Sequence, residues 1–180
     1  MNGFAEIETP IKRELLIAFS DLTGFAAMAR KQGDDLGLFG RMSEYFELVG
    51  DIIEGAGGQV IKFIGDAVLM VFPADAVDAG VRALAELKKR GDRWWAERGC
   101  DCQHVVQAHF GVVAMGYVGT RQDKRLDIFG DSVSVAATLR GGEFTVTREV
   151  FERLEAETRK LFRKHTPEQA GAREVWVAAD

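Results

Sequence analysis

Apolar residues in this chain fall either into short β-branched runs or into longer stretches spaced by three and four. Leu15-Leu16-Ile17-Ala18-Phe19 reads as a strand that ends at Asp21, and a short helix is expected from about Phe25 to Arg30, before a polar break at Lys31 to Asp35. Phe39, Met42, Phe46, Val49, Ile53 and Ala56 recur at helical spacing, predicting a helix with one apolar face that Gly55, Gly57 and Gly58 terminate. Val60 to Phe72 contains two apolar runs around Gly65-Asp66 and predicts a buried hairpin. Pro73 and Asp75 open a second long helix through Val77, Val81, Leu84 and Leu87, ending near Gly91 or Gly99.

Beyond it, His104 to Val118 predicts two strands around Gly111. Leu126 to Phe129 is a short strand feeding a helix over Val133 to Leu139, Phe144 to Val146 a strand, and Glu149 to Leu154 a helix. Glu174-Val175-Trp176-Val177 suits one or two closing strands. Trp94 and Trp95 are adjacent, so both cannot face the core, and a partly covered surface tryptophan is expected. The alternation predicts an α+β sandwich, with helices packed on one face of a mixed or mainly antiparallel sheet.

With 180 residues and 47% hydrophobic content, the chain reads as one domain over 1–180 with an ample core. Its net charge of −5 argues against a general nucleic-acid or anionic-membrane surface, although it leaves room for one basic pocket. Cys100 and Cys102 read as an ordinary reduced pair, and His104, His109 and His165 form no ligand spacing with them. No apolar stretch approaches a membrane span, and Met1 to Glu8 lacks the blocks of a signal peptide. A cytoplasmic domain without direct membrane contact is expected, one that can be fused to, or regulated by, another domain.

Candidate chemistry starts at the hairpin, which carries Lys62 and Asp66 between strongly apolar runs. Ionised groups are rarely buried without partners, because desolvation costs several kcal/mol per ion. The alternative is a surface hairpin with a Gly-Asp turn. Asp21 ends an apolar strand just before a glycine and a helix. It can serve as an N-cap, or it can supply a hard oxygen to a divalent ion while the following amides hold a phosphate. Asp21 and Asp66 together offer the two carboxylates that a pair of Mg²⁺ ions on a nucleoside triphosphate requires.

A third segment joins these two: the glycine-punctuated strand Gly111 to Gly119, then Leu126-Asp127-Ile128-Phe129-Gly130-Asp131-Ser132-Val133-Ser134-Val135-Ala136-Ala137-Thr138-Leu139. With it, the chain from about Leu15 to Leu154 resembles the catalytic domain of class III nucleotidyl cyclases, the adenylyl and guanylyl cyclase family. The resemblance implies a ferredoxin-like core with added strands. It also implies conversion of ATP to 3′,5′-cyclic AMP and pyrophosphate for signal transduction, on two divalent cations (Mg²⁺ or Mn²⁺) held by Asp21 and Asp66. The amides of Leu22, Thr23, Gly24 and Phe25 would receive the β and γ phosphates. Lys62 and Asp127 match the base-reading pair and suit adenine, which offers a ring-nitrogen acceptor and an amine donor. The family pattern further implies a homodimer with sites at the subunit interface.

Two positions depart from that pattern. An asparagine that orients the ribose and an arginine that stabilises α-phosphate charge are replaced by Ser134 and Thr138. Threonine brings no charge, and losing such a donor costs about 3 kcal/mol or more. Activity is therefore expected to be weak, and a degenerate relative acting as a nucleotide-binding or dimerising regulatory module is the alternative. Arg140 lies two residues past Thr138 and would point away on a continuing helix, while Arg121, Lys124, Arg125 and Lys164 are the other cations considered. Arg140-Gly141-Gly142-Glu143-Phe144 also resembles the signature loop of diguanylate cyclases, but it lacks one acidic residue and reads as a helix stop.

Overall fold

The computed structural model describes residues 7–165 and 173–179. The reading of Met1 to Glu6 lies outside the described residues. A long strand, β1 (Ile11–Thr23), leads into α1 (Phe25–Gln32) and α2 (Asp35–Gly55). The hairpin of β2 (Gln59–Ile64) and β3 (Ala67–Pro73) follows, then α3 (Val77–Glu97) and β4 (Gln103–Gly119). After β5 (Lys124–Phe129) and α4 (Asp131–Thr138) come β6 (Phe144–Thr147), the short helices α5 (Arg148–Phe151) and α6 (Ala156–Arg159), β7 (Phe162–His165) and β8 (Val175–Ala178).

One sheet runs in the order β2-β3-β1-β4-β6-β8-β7, with β5 paired to the second half of β4. Only the β4–β6 pair is parallel among the described pairings. β1 is central, flanked by β3 and β4 in antiparallel register. Its alternate residues therefore feed two cores. Leu16, Ala18 and Leu22 join Met70, Phe72, Val106 and Ala108 beneath α2 and α3, while Leu15 and Ile17 join Leu69, Val71, Val113 and Met115 on the opposite face. Ala136 of α4 packs there, with Val133 half-buried beside it. A strand covered on both faces needs no polar alternation, which is why Leu15 to Phe19 reads as an unbroken apolar run.

The α+β class and the mostly antiparallel sheet agree with the sequence reading, with several corrections. Helices cover both faces, because α4 takes the side opposite α2 and α3. His104 to Val118 is one strand, since β1 pairs with β4 without a break from Met115 to Gln103 and carries the chain straight through Gly111. Phe39 is 76% exposed, because the packed stripe of α2 runs through Leu38, Met42 and Tyr45. The hairpin is buried only on its β3 side, and the outer strand β2 leaves Phe63 and Ile64 exposed. Trp95 is fully buried against Phe25 and Tyr45, whereas Trp94 is half-buried with the Arg98 guanidinium 3.8 Å above its ring. α3 runs through Gly91 to Glu97, and the predicted helix over Glu149 to Leu154 is only the single turn α5. No helix among the described residues is long and apolar enough to cross a membrane.

Candidate active site

Asp21 sits at the end of β1 and Asp66 in the turn between β2 and β3. The β1–β3 register pairs Ser20 with Val68, so two residues further on the hairpin turn carries Asp66 to Leu22. The Leu22 amide donates to Asp21 Oδ1 at 3.0 Å and is also within hydrogen-bonding reach of the Asp66 carboxylate. Burial raises the Asp66 pKa, and the facing Asp21 carboxylate raises it further. Two carboxylates held together at one amide, without a described cation, make a donor pair that a divalent ion would relieve. Among the described residues no cluster of three or more His, Cys, Asp or Glu could hold a metal. A hard ion here would complete its shell with backbone carbonyls, water or the oxygens of a phosphate ligand, so the donor set fits Mg²⁺ or Mn²⁺ brought with a triphosphate.

α1 begins directly beside this pair. Gly24, at φ 77°, forms its N-cap without any side-chain cap, and the first turn holds no acidic residue. A Cβ at Gly24 would lie 2.8 Å from the Asp101 carbonyl oxygen, so both the positive φ and the close backbone contact call for glycine. The Ala27 and Met28 amides return to the Gly24 carbonyl, but the amides of Phe25 and Ala26 have no acceptor within the helix. Those donors and the helix dipole suit an anion.

Lys62 reaches the Leu69 face of the sheet through a β-bulge. Val60 pairs with Met70, but Lys62 pairs with Leu69, so the register slips by one and Lys62 moves from the α2/α3 face to the Leu69 face. Phe63 stacks on Phe46 of α2 at 3.8 Å between centroids and anchors the hairpin from the other side. Lys62 Nζ then donates to Asp127 Oδ2 at 2.6 Å, while Asp127 Oδ1 accepts the Ile128 amide at 2.8 Å. The pair joins β2 to β5.

Ser134 and Thr138 are exposed on α4, on that same face. The Thr138 hydroxyl donates to the Ser134 carbonyl at 2.8 Å and is spent inside the helix. α4 ends at Thr138, ahead of the glycine pair, and Leu139 is extended. Arg140 is thus off the helix, its guanidinium bonded to the adjacent Leu139 carbonyl. Arg125 is paired with Asp123 and Lys164 with Glu174. The structure therefore brings together Asp21, Asp66 and the start of α1 as one group, and Lys62 with Asp127 as a second. No hydrogen bond or ion pair joins the two groups among the described residues.

Sequence reasoning missed a buried polar chain behind the first group. Tyr45 O–H donates to His104 Nε2 at 2.6 Å, and His104 Nδ1 meets Asp92 Oδ1 at 2.7 Å; these partners assign the proton to Nδ1. Burial pushes the Tyr45 pKa far up, and Asp92 and Asp66 add to it. The Asp92 pKa falls despite its burial, because His104 and Lys88 donate to it. The one local signal was Gly91 inside a helix, where a Cβ would lie 2.3 Å from His104 Cε1.

Residues 7–174 match the family described as the adenylate and guanylate cyclase catalytic domain. An adenylate cyclase of Anabaena cylindrica is 26% identical over 144 residues, covering 76% of this chain and 28% of that protein. An adenylate cyclase of Streptomyces coelicolor is 31% identical over 133 residues, covering 73% of this chain and 31% of that protein. The chain thus spans less than half the length of these curated relatives. A solved bacterial light-regulated adenylyl cyclase has the same fold, with a TM-score of 0.82 at 24% identity, covering 94% of this chain and 52% of that one.

Proposed function

The chain belongs to the family of adenylate and guanylate cyclase catalytic domains, and on that premise we propose that it converts ATP to 3′,5′-cyclic AMP and pyrophosphate. The observation that carries this reading is the convergence of Asp21 and Asp66 on the Leu22 amide beside the uncapped first turn of α1. Asp21 and Asp66 would hold two divalent cations, which when bound make the ribose 3′ hydroxyl more acidic and neutralise phosphate charge. The amides from Thr23 to Phe25 receive the β and γ phosphates, the Leu22 amide being held by Asp21 and Asp66. Lys62 donates to the adenine ring nitrogen and Asp127 accepts from its exocyclic amine. The 3′ oxygen forms its bond to the α-phosphorus as the bond to the β-phosphate oxygen breaks, and pyrophosphate leaves.

The two groups share no direct bond within one chain among the described residues, which supports a homodimer. In that arrangement the carboxylates of one protomer face the Lys62–Asp127 pair of its partner, and two equivalent sites form at the interface. Thr138, its hydroxyl turned inward, offers no cation to the α-phosphate. Turnover about a hundredfold to a thousandfold below that of a site with such a donor follows. That same observation favours the second reading, a regulatory module that binds nucleotide without turning it over.

Incubating purified protein with ATP and Mn²⁺ or Mg²⁺, and reading cyclic AMP with pyrophosphate in parallel with ATP binding, separates the readings. Stoichiometric formation of both products supports the cyclase. Metal-dependent ATP binding without product favours the module, and absence of binding overturns both.

A further inference from the structure

A cavity of about 280 Å³ opens on the other side of the molecule, between α3 and the strands β6, β7 and β8. Its floor is apolar: Phe144 and Phe162 meet edge to face at 5.1 Å, Ala85 of α3 forms one wall, and Leu161 stands 45% exposed at the rim. Its polar portion is different. Lys88, Lys89 and Asp92 line it, two cations against one anion. Lys89 is exposed and has no ion partner among the described residues. Lys88 donates to Asp92 Oδ2 at 3.0 Å and to the His104 carbonyl at 3.1 Å, and it pairs with Glu143 at 2.8 Å. Glu143 is 65% exposed, which makes it the partner most readily exchanged for another carboxylate.

Asp92 connects this polar portion to the buried chain. Its Oδ1 accepts both the His104 amide, at 2.8 Å, and the ring N–H, and the ring in turn holds Tyr45. His104 lies directly across the β1–β4 ladder from Leu22, whose amide serves Asp21 and Asp66. Anything that redirects Lys88 therefore acts on the residue that fixes β4 opposite the carboxylate pair.

We propose that this cavity is a regulatory site for a small amphipathic carboxylate, its apolar part on Phe144 and Phe162 and its anionic head between Lys88 and Lys89. The volume sits at the lower edge of ligand pockets, which selects a short aliphatic chain or a single ring. Charge selects the head group, since Lys89 is an unpaired cation among the described residues and Lys88 already holds an exposed, exchangeable carboxylate in Glu143. A carboxylate on Lys88 displaces Glu143 and draws the ammonium outward, away from Asp92, loosening the hold of His104 on β4. The regulatory half rests on the proposed nucleotide site; the binding half does not.

Octanoate is the probe, with 1-octanol and acetate as controls, titrated calorimetrically into the full chain. Octanoate is expected to bind one to one with a Kd on the order of 1 mM or below, and octanol at least about tenfold more weakly. Leu161→Asp places a repelling charge on the rim without touching the core, and Lys89→Ala removes the free cation; each should weaken octanoate binding by about tenfold. No binding up to about 10 mM, or unchanged affinity in both variants, overturns the site. Saturating octanoate should then weaken Mn²⁺-dependent ATP binding by about fivefold, and an unchanged ATP affinity overturns the regulatory half. If ATP with Mn²⁺ does not bind even without octanoate, the cyclase reading falls, and the octanoate titration still decides the site.

Discussion

Replacing Asp66 with asparagine should stabilise the metal-free protein while destroying its response to metal. The Asp66 carboxyl is partly buried and faces that of Asp21, so ionising both costs the fold energy. Two like charges about 4 Å apart repel by about 1 kcal/mol in water and about 4 kcal/mol at an effective dielectric of 20. Asp21 is exposed and Asp66 only half-buried, so solvent screening keeps the penalty near the lower figure, about 1 kcal/mol. For a chain of this size that corresponds to a rise in Tm of about 3 °C in Asp66→Asn at neutral pH.

The sign depends on pH. Because the folded-state pKa lies above the ordinary 3.8, the wild type carries no penalty below that value and the full penalty above its raised pKa. The gap between variant and wild type should open as pH rises through that window and close in acid. Mn²⁺ at ten times its Kd should restore about 1.4 kcal/mol to the wild type and nothing to the variant. Scanning calorimetry at neutral and acidic pH, with and without Mn²⁺, measures all four quantities. A lower Tm in Asp66→Asn at neutral pH, or equal stabilisation of both proteins by Mn²⁺, would refute the shared-carboxylate argument.

Other expectations follow from the remaining geometry. The double change Lys62→Glu with Asp127→Ser reverses the donor and acceptor offered to the base, and should shift preference from ATP toward GTP by at least about tenfold, read as the ratio of cyclic AMP to cyclic GMP. Ser134→Asn with Thr138→Arg should raise turnover about 10²-fold to 10³-fold, mostly through the arginine and with little change in KM; an unchanged rate would assign the charge to another cation. Light scattering over a concentration series should show a dimer, and a strict monomer well above micromolar concentration with ATP present would count against a shared site. Gly91→Ala drives a methyl into the His104 ring and should cost about 1–3 kcal/mol in thermal or denaturant unfolding.

Sequence alone was enough for the local elements and the residues at their ends. Apolar runs and helical spacing located β1, α2, β3 and α3, and the charged positions Asp21, Lys62 and Asp66 stood out because each interrupts an apolar run or ends one, whereas Asp127 was singled out only by the family resemblance. Those signals are local, carried by residues within a few positions of one another. Tertiary structure decided what depends on register and on contact across distant segments. The bulge at β2 chose which face Lys62 presents, and no periodicity in five residues could announce that slip. Continuous pairing with β1 made one strand of His104 to Val118, and the packed stripe of α2 through Leu38, Met42 and Tyr45 turned Phe39 to solvent. Tyr45, Asp92 and His104 lie on three different elements, so their hydrogen-bonded chain exists only once α2, α3 and β4 have packed. The burial that makes it costly to break is a property of the whole core and is written at none of those three positions.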